Sequence, residues 1–400
     1  MKYIFHLSIL FLFSLWTFDA QAQEESYQKK YPFLGTEKNE IQGDSLTWVQ
    51  LGRKLDSLKY RQEVFNIVHI GDSHLQAGFL NGVVRTGLQK KYGNAGPGLL
   101  VPYKVGRTNE PGHVRTRSNM RWRARRIVSD KDTLAIGLSG ITVQARQKNA
   151  EMQVSLISSP GLDYSITGLQ VFSRHAAGEM PMSICDSARC FLAFADAKQP
   201  DQIIRFEKPI HQFSLIPDSM SQDSIFTLYG MNGINDSAGI RYHTIAINGA
   251  EYRHYVQQEL FLKQLEYLKP NLFILSLGTN EAFAAKFDTS SFRQQADSLI
   301  NQIRQQFPQA HLLITTPGDA MKGRKYKNPR NRLAGQSLIQ LAQSRSCSTW
   351  DLFSIMGGYG SIQKWYSKGL TAKDKLHLNR RGYELQGQLL LEAILKKMHP

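Results

Sequence analysis

Val64-Phe65-Asn66-Ile67-Val68-His69-Ile70 runs straight into Gly71-Asp72-Ser73-His74, and this junction decides the fold. The first seven residues form a nearly continuous apolar run, the pattern of a strand buried on both faces of a parallel sheet. A glycine ends the run and a potential nucleophile follows. Open α/β sheets bind ligands beyond the carboxyl ends of their strands. The place of Ser73 therefore counts for more than its residue type.

Outward from this junction the chain alternates. Leu46, Trp48, Val49, Leu51, Leu55 and Leu58 form one stripe and predict a helix over 44–60. Further strand-like runs are Tyr242–Ile247, Leu272–Leu277 and Leu312–Ile314. Helical patterns cover 292–306, 333–343 and 382–397. Strand, helix, strand, helix predicts an α/β fold with a parallel sheet. Between Lys104 and Met231 the pattern changes. Short runs recur there at 134–138, 141–145, 152–157, 169–172, 190–194, 203–206 and 225–229, separated by Gly, Pro, Asp and Ser. They predict an all-β sandwich. Residues 23–103 and 232–400 are thus read as one α/β domain, with 104–231 inserted as a β-rich module.

The first 22 residues read as a leader. Lys2 opens a basic start, Ile4 to Phe18 are mostly apolar, and Ala20-Gln21-Ala22 is a small-x-small cleavage site. The apolar stretch is too short for a membrane span. The mature chain is expected to begin at Gln23 and to be exported and soluble, periplasmic or secreted, with no later membrane span.

Export permits a disulfide. Cys185 and Cys190 could close a small loop or stay reduced, and Cys347 is expected to be buried. Three Cys in 400 residues exclude a disulfide scaffold, and no Cys-x-x-Cys or His-Glu-x-x-His signals a zinc site. With 42% hydrophobic and 20% charged residues the chain is globular. Its net charge of +16 is compatible with anionic surfaces. Six arginines between Arg115 and Arg126 surround Trp122 and are expected on a solvated basic strand or loop, not on a nucleic-acid surface.

Two further strand ends carry polar candidates. Ile245-Ala246-Ile247 leads to Asn248-Gly249-Ala250, and Leu275-Ser276-Leu277 leads to Gly278-Thr279-Asn280-Glu281. Gly249 could offer its backbone N–H, and Asn280 its amide, to the oxyanion of an acyl-transfer intermediate. A simple turn and a helix cap are the structural alternatives. Asp374-x-x-His377 precedes the last helix and could orient and supply a general base for Ser73. Gly43-Asp44-Ser45-Leu46 is a literal Gly-Asp-Ser-Leu string, but it follows a polar stretch and reads as a helix cap. Context selects Ser73 over Ser45.

Gly71-Asp72-Ser73-His74, Gly249, Gly278-x-Asn280 and Asp374-x-x-His377 resemble the four blocks of SGNH (GDSL-like) hydrolases. The chain departs from the common pattern at His74, where Leu is usual, and at Glu281, where Asp often stands. The resemblance implies a flavodoxin-like three-layer sandwich. It also implies a serine esterase with Ser73, His377 and Asp374 as catalytic residues, and with Ser73, Gly249 and Asn280 around the oxyanion.

The run Leu88-Gln89-Lys90-Lys91-Tyr92-Gly93-Asn94-Ala95-Gly96-Pro97-Gly98, the insertion after it and His243–Ala250 are similar to peptidoglycan O-acetylesterases. Those enzymes carry an inserted carbohydrate-binding-like sandwich. That likeness implies acetyl removal from cell-wall glycan, with no cofactor and no metal. Esters of other glycans or lipids, O-acetyl transfer, and glycan binding by an inactive hydrolase are the rival functions. His74, Trp365 and Tyr366 are expected to touch substrate, with Trp122 a further candidate for sugar stacking. His74, His243 and His254 are rivals to His377 as base.

Overall fold

The computed structural model describes residues 27–129, 131–146, 149–175, 180–187, 189–195, 202–217 and 225–400. The expected leader lies outside the described residues. The chain opens with β1 (Ile41–Gln42), α1 (Ser45–Arg61), β2 (Val64–Gly71), a single turn α2 (Ser73–Gln76) and α3 (Phe79–Tyr92). Asp44 caps α1 by accepting from the N–H groups of Leu46 and Thr47, so the literal Gly-Asp-Ser-Leu string is a helix start.

Among the described residues eleven antiparallel strands follow. They are β3 (Gly98–Leu100), β4 (Val114–Ser118), β5 (Arg123–Arg126), β6 (Ile141–Ala145), β7 (Met152–Leu156) and β8 (Ile166–His175). Then come β9 (Met180–Cys185), β10 (Cys190–Ala195), β11 (Ile204–Ile210), β12 (Gln212–Pro217) and β13 (Phe226–Ile234). One sheet runs β10-β9-β12-β7-β4, and the other runs β11-β8-β13-β6-β5 with β3 also paired to β13.

Leu134–Leu138 is not a strand. It enters the turn where Gly140 N–H donates to Gly137 O, and Arg125 donates to the carbonyl of Leu134. The arginine-rich segments, by contrast, are strands. β4 and β5 are edge strands with one partner each, and charge on an exposed edge discourages further pairing. Cys185 and Cys190 face each other across the β9–β10 hairpin and are joined as a disulfide. Cys347 is buried.

The chain then resumes its alternation. It continues with β14 (Gly239–Ala246), α4 (Tyr252–Val256), β15 (Leu272–Ser276), α5 (Thr279–Phe283) and α6 (Thr289–Gln306). It closes with β16 (His311–Thr315), α7 (Pro329–Ser344), β17 (Ser348–Trp350), α8 (Ser361–Ser367) and α9 (Arg380–Met398). The sheet order is β1-β17-β16-β15-β2-β14. All pairings are parallel except that of β1 with β17. Among the parallel strands this is the flavodoxin-like order, which reverses direction between the first strand, β2, and the third, β15.

Register places Ala246 beside Gly71, Gly71 beside Ser276, and Ser276 beside Thr315. The carboxyl ends of four strands therefore stand level, and the segments following them meet at one edge. α9 packs on α1 and α3 over one face, and α6 packs on α7 over the other. One buried cluster contains Ile70 and Leu275 of the parallel sheet together with Trp122, Phe172 and Phe226 of the sandwich. The two parts share a core.

Candidate active site

β2 ends at Gly71, and Asp72 caps the turn α2 by accepting from His74 N–H at 2.9 Å. This sets Ser73 at the first position of α2, where helix N–H groups lack intrahelical acceptors. Ser73 Oγ lies 3.0 Å from His377 Nε2. The other ring nitrogen, Nδ1, lies 2.8 Å from Asp374 Oδ2. Asp374 Oδ1 accepts from the N–H groups of Leu376 and His377, both at 3.0 Å. Burial pushes the Asp374 carboxyl up, but the His377 side chain and these two N–H groups outweigh it and leave it below the ordinary value. An ionised carboxylate beside Nδ1 favours the tautomer with the proton there, leaving Nε2 free to accept from Ser73.

None of the rival histidines reaches Ser73. His243 is buried with Nε2 3.2 Å from Asn66 Oδ1. His254 Nδ1 accepts from Glu251 N–H at 2.9 Å at the start of α4. His74 is near the triad but behind it. Its ring centroid lies 5.2 Å from that of His377, and its Nδ1 is 2.9 Å from Tyr383 OH. Burial pushes its pKa down to about 3, so it is a neutral wall against the base.

Gly249 follows β14 with φ +82°, and a Cβ placed there would meet nothing within 4 Å. The backbone is thus open to a ligand in a conformation that favours glycine. Gly278, at φ +113°, turns the chain from β15 into α5. Asn280 lies within α5, and the N-cap is Gly278. Asn280 Nδ2 donates to Ala250 O at 2.9 Å and to Asp72 Oδ2 at 3.2 Å. An oxyanion would draw this amide by displacing the longer bond. Burial raises the Asp72 carboxyl to about 7.

Trp365 corrects an expectation. It is fully buried, its Nε1 donates to Met356 O at 3.1 Å, and its ring packs edge-on to Phe33. It is core and presents no face to a substrate. Trp122 is likewise buried, donating to Ser118 Oγ at 2.8 Å. Tyr366 is 43% exposed, with Lys375 Nζ over its ring.

Two side chains hold the Gly249 loop: Gln76, which the sequence reading did not single out, and Glu281, which it noted without a role. Gln76 is buried. Its Oε1 accepts from Asn248 N–H at 2.6 Å. Its Nε2 donates to Thr108 Oγ1 and Asn109 O, both at 2.7 Å, and to Asn109 Oδ1 at 2.8 Å. Glu281 Oε1 accepts from Tyr252 N–H at 2.8 Å, and burial raises its carboxyl to about 8. Position one helical turn after Ser73 was the available signal for Gln76. Its partners at 108–109 could not be read from spacing.

A small cavity of about 40 Å³ beside the triad is lined by Asp72, His74, Asp319, Ala320 and Leu376 among others. Among the described residues no cluster suited to a metal ion occurs, and no helix is long and apolar enough to cross a membrane.

Residues 227–385 match the model of the GDSL-like lipase/acylhydrolase family. That span holds Gly249, Asn280, Asp374 and His377. It leaves out Ser73, which the insertion separates from it in sequence. Among solved structures, a peptidoglycan O-acetylesterase is 22% identical and aligns over 89% of this chain and 98% of its own, with a TM-score of 0.74. A lipase/acylhydrolase from Enterococcus faecalis is 18% identical over 40% of this chain and 79% of its own, with a TM-score of 0.32. An acetyl xylan esterase is 16% identical over 38% of this chain and 81% of its own, with a TM-score of 0.33. No curated protein matches the sequence. The parallel sheet order and the match over nearly the whole chain show the SGNH-hydrolase fold, residues 227–385 carry a GDSL-like lipase/acylhydrolase domain, and the chain is a carboxylic-ester hydrolase.

Proposed function

We propose that the protein is an exported serine esterase that removes O-acetyl groups from cell-wall glycan, with peptidoglycan as the polymer. The observation that carries the chemistry is the unbroken line Ser73 Oγ, His377 Nε2, His377 Nδ1 and Asp374 Oδ2, with links of 3.0 and 2.8 Å. The glycan assignment is supported by the inserted sandwich and by the likeness over nearly the whole length of a solved peptidoglycan O-acetylesterase. Residues 104–231 are taken as the inserted module, and 23–103 with 232–400 as the hydrolase.

In this reading Ser73 Oγ attacks the acetyl carbonyl while its proton passes to His377 Nε2. The C–O bond to the sugar breaks, and His377 returns the proton to the departing sugar oxygen. Water, deprotonated by the same nitrogen, then attacks the acetyl-enzyme and releases acetate and free Ser73. Asp374 holds the imidazole and stabilises the imidazolium. Ser73 N–H, Gly249 N–H and the Asn280 amide receive the oxyanion; losing one such donor costs about 10²–10³ in kcat.

The test is acetate release from O-acetylated peptidoglycan and from acetylated xylan, using wild type and Ser73→Ala. Release from peptidoglycan should fall by about 10⁴-fold or more in the variant. Ser45→Ala, at the exposed start of α1, should match wild type. Release from xylan alone would move the substrate to another polysaccharide. Full activity in Ser73→Ala would remove the assigned nucleophile.

A further inference from the structure

The loop carrying Asp374 and His377 sits in a strip of uncompensated positive charge. Met321–Lys322 and Tyr326–Lys327 pair as a small hairpin. The hairpin is joined to the catalytic loop, because Met321 N–H donates to Lys375 O at 2.9 Å. α8 is joined to both. Gln363 Oε1 accepts from Lys375 Nζ at 3.2 Å, and Gln363 Nε2 lies 2.8 Å from Met321 Sδ.

Hairpin, α8 and catalytic loop therefore form one surface. Lys322, Arg324, Lys325 and Lys327 are exposed on the hairpin, Lys364 on α8 and Lys368 just after it. Lys373 and Lys375 flank Asp374. Across 320–328 and 357–375 the only carboxylate is Asp374, whose oxygens are taken by His377 and backbone N–H groups; Asp319, just before the hairpin, is buried, accepts from Ile362 N–H and feels the charge of Lys327.

Among the described residues none of these eight cations forms an ion pair, whereas Arg123, Arg189 and Arg345 elsewhere each have a carboxylate partner. Like charges so gathered repel one another and raise the local concentration of anions. Aromatic rings stand among them. Tyr326 is 66% exposed, Tyr359 47% and Tyr366 43%, with Lys327 Nζ over Tyr359 at 5.1 Å and Lys375 Nζ over Tyr366 at 4.5 Å.

Charge alternating with rings matches a polymer whose anionic groups alternate with sugar faces. Seven of the eight cations are lysines. Their compact ammonium groups act as point charges that attract anions without demanding the bidentate geometry of arginine's planar fork.

We infer that this strip binds a carboxylate-bearing glycan strand and feeds its acetylated sugar to Ser73. The binding is a property of the surface, and its catalytic consequence rests on the esterase reading. The test compares Ser73→Ala with and without Lys322→Gln, Arg324→Gln and Lys325→Gln, three exposed hairpin positions remote from the triad's hydrogen bonds.

Co-sedimentation is measured with a carboxylated, O-acetylated polysaccharide, with its carboxyl-reduced form, and with a phosphate polymer of equal charge density. The triple change should weaken binding to the carboxylated polymer about 5–10-fold at low salt and flatten its salt dependence. Binding to the reduced polymer should be weaker from the start and unaffected. In the enzyme with Ser73 intact, hydrolysis of a small neutral acetyl ester should stay within about twofold of wild type.

Equal binding of the reduced polymer, an unchanged affinity in the triple variant, or capture of the phosphate polymer alone would overturn the inference. Loss of the esterase reading would appear separately, as full ester hydrolysis in Ser73→Ala. The binding assay would still report on the strip.

Discussion

Asp72 shows how far one residue's chemistry can depart from its exposed form. Its carboxyl titrates near 3.8 in the unfolded chain and is pushed by burial to about 7 in the fold. Between those values the folded state holds a proton that the unfolded state has released, so folding loses stability as pH rises from about 4 to about 7. Asp72→Asn keeps an acceptor for His74 N–H but has no proton to release. Urea unfolding at pH 5 and pH 7 should therefore show a smaller decline in the variant than in wild type; equal declines would contradict a buried, proton-holding Asp72. His74 contributes with the opposite sign. Its pKa falls to about 3 by burial, so stability rises with pH between about 3 and 6.5. That contribution is common to both proteins and cancels in the comparison. Nothing in Gly71-Asp72-Ser73-His74 announces either shift, because both come from walls supplied by distant segments.

At the scale of the element, the single turn α2 carries two functions three residues apart. Its first residue is the proposed nucleophile, and its last, Gln76, ties the Asn248–Gly249 loop to Thr108 and Asn109. Gln76→Ala would leave Asn248 N–H without its side-chain acceptor, at about 1–3 kcal/mol, while Thr108 Oγ1 and Asn109 Oδ1 would keep Asn248 Nδ2 as a donor. We expect kcat toward a small acetyl ester to fall about 10-fold with KM little changed, since the loop would lose its aim at the oxyanion and not its contact with the ground state. Loss of stability with an unchanged kcat would confine Gln76 to a structural role. Four helices, α1, α6, α7 and α9, were legible, whereas α3 was not. Asp44, Asp288, Asn328 and Asn379 cap α1, α6, α7 and α9 by accepting N–H groups of the first turn, and short polar caps leave a local mark in sequence. The edge strands β4 and β5 left no such mark, because pairing with one neighbour and no apolar run defines them.

For the whole molecule, the decisive feature is the core that sandwich and parallel sheet share. A module tethered by loops would melt separately, whereas one packed into the same apolar cluster should unfold with its host. Calorimetry should show one transition, with esterase activity lost at the same temperature. Trp122→Ala, in the sandwich, should cost about 3–5 kcal/mol and lower that single transition. Two resolved transitions, with only the first displaced, would make the module an independent unit.

By itself the sequence determined the alternation of strands and helices, the parallel sheet, the β-rich interval, and the choice of Ser73 over Ser45. Each is a matter of local period or of neighbours within a few residues, and local pattern is what a chain records directly. The residues of the proposed triad were also named from sequence, because Asp374 and His377 are three apart and Ser73 closely follows a strand. Tertiary structure alone decided which aromatics are core, as Trp365 shows. It also decided what holds the Gly249 loop, which carboxyls keep their protons, and which charges gather beside His377. These depend on contacts between segments as far apart as Ser73 and His377, and burial, the cause of every large shift at the site, exists only once those segments have packed.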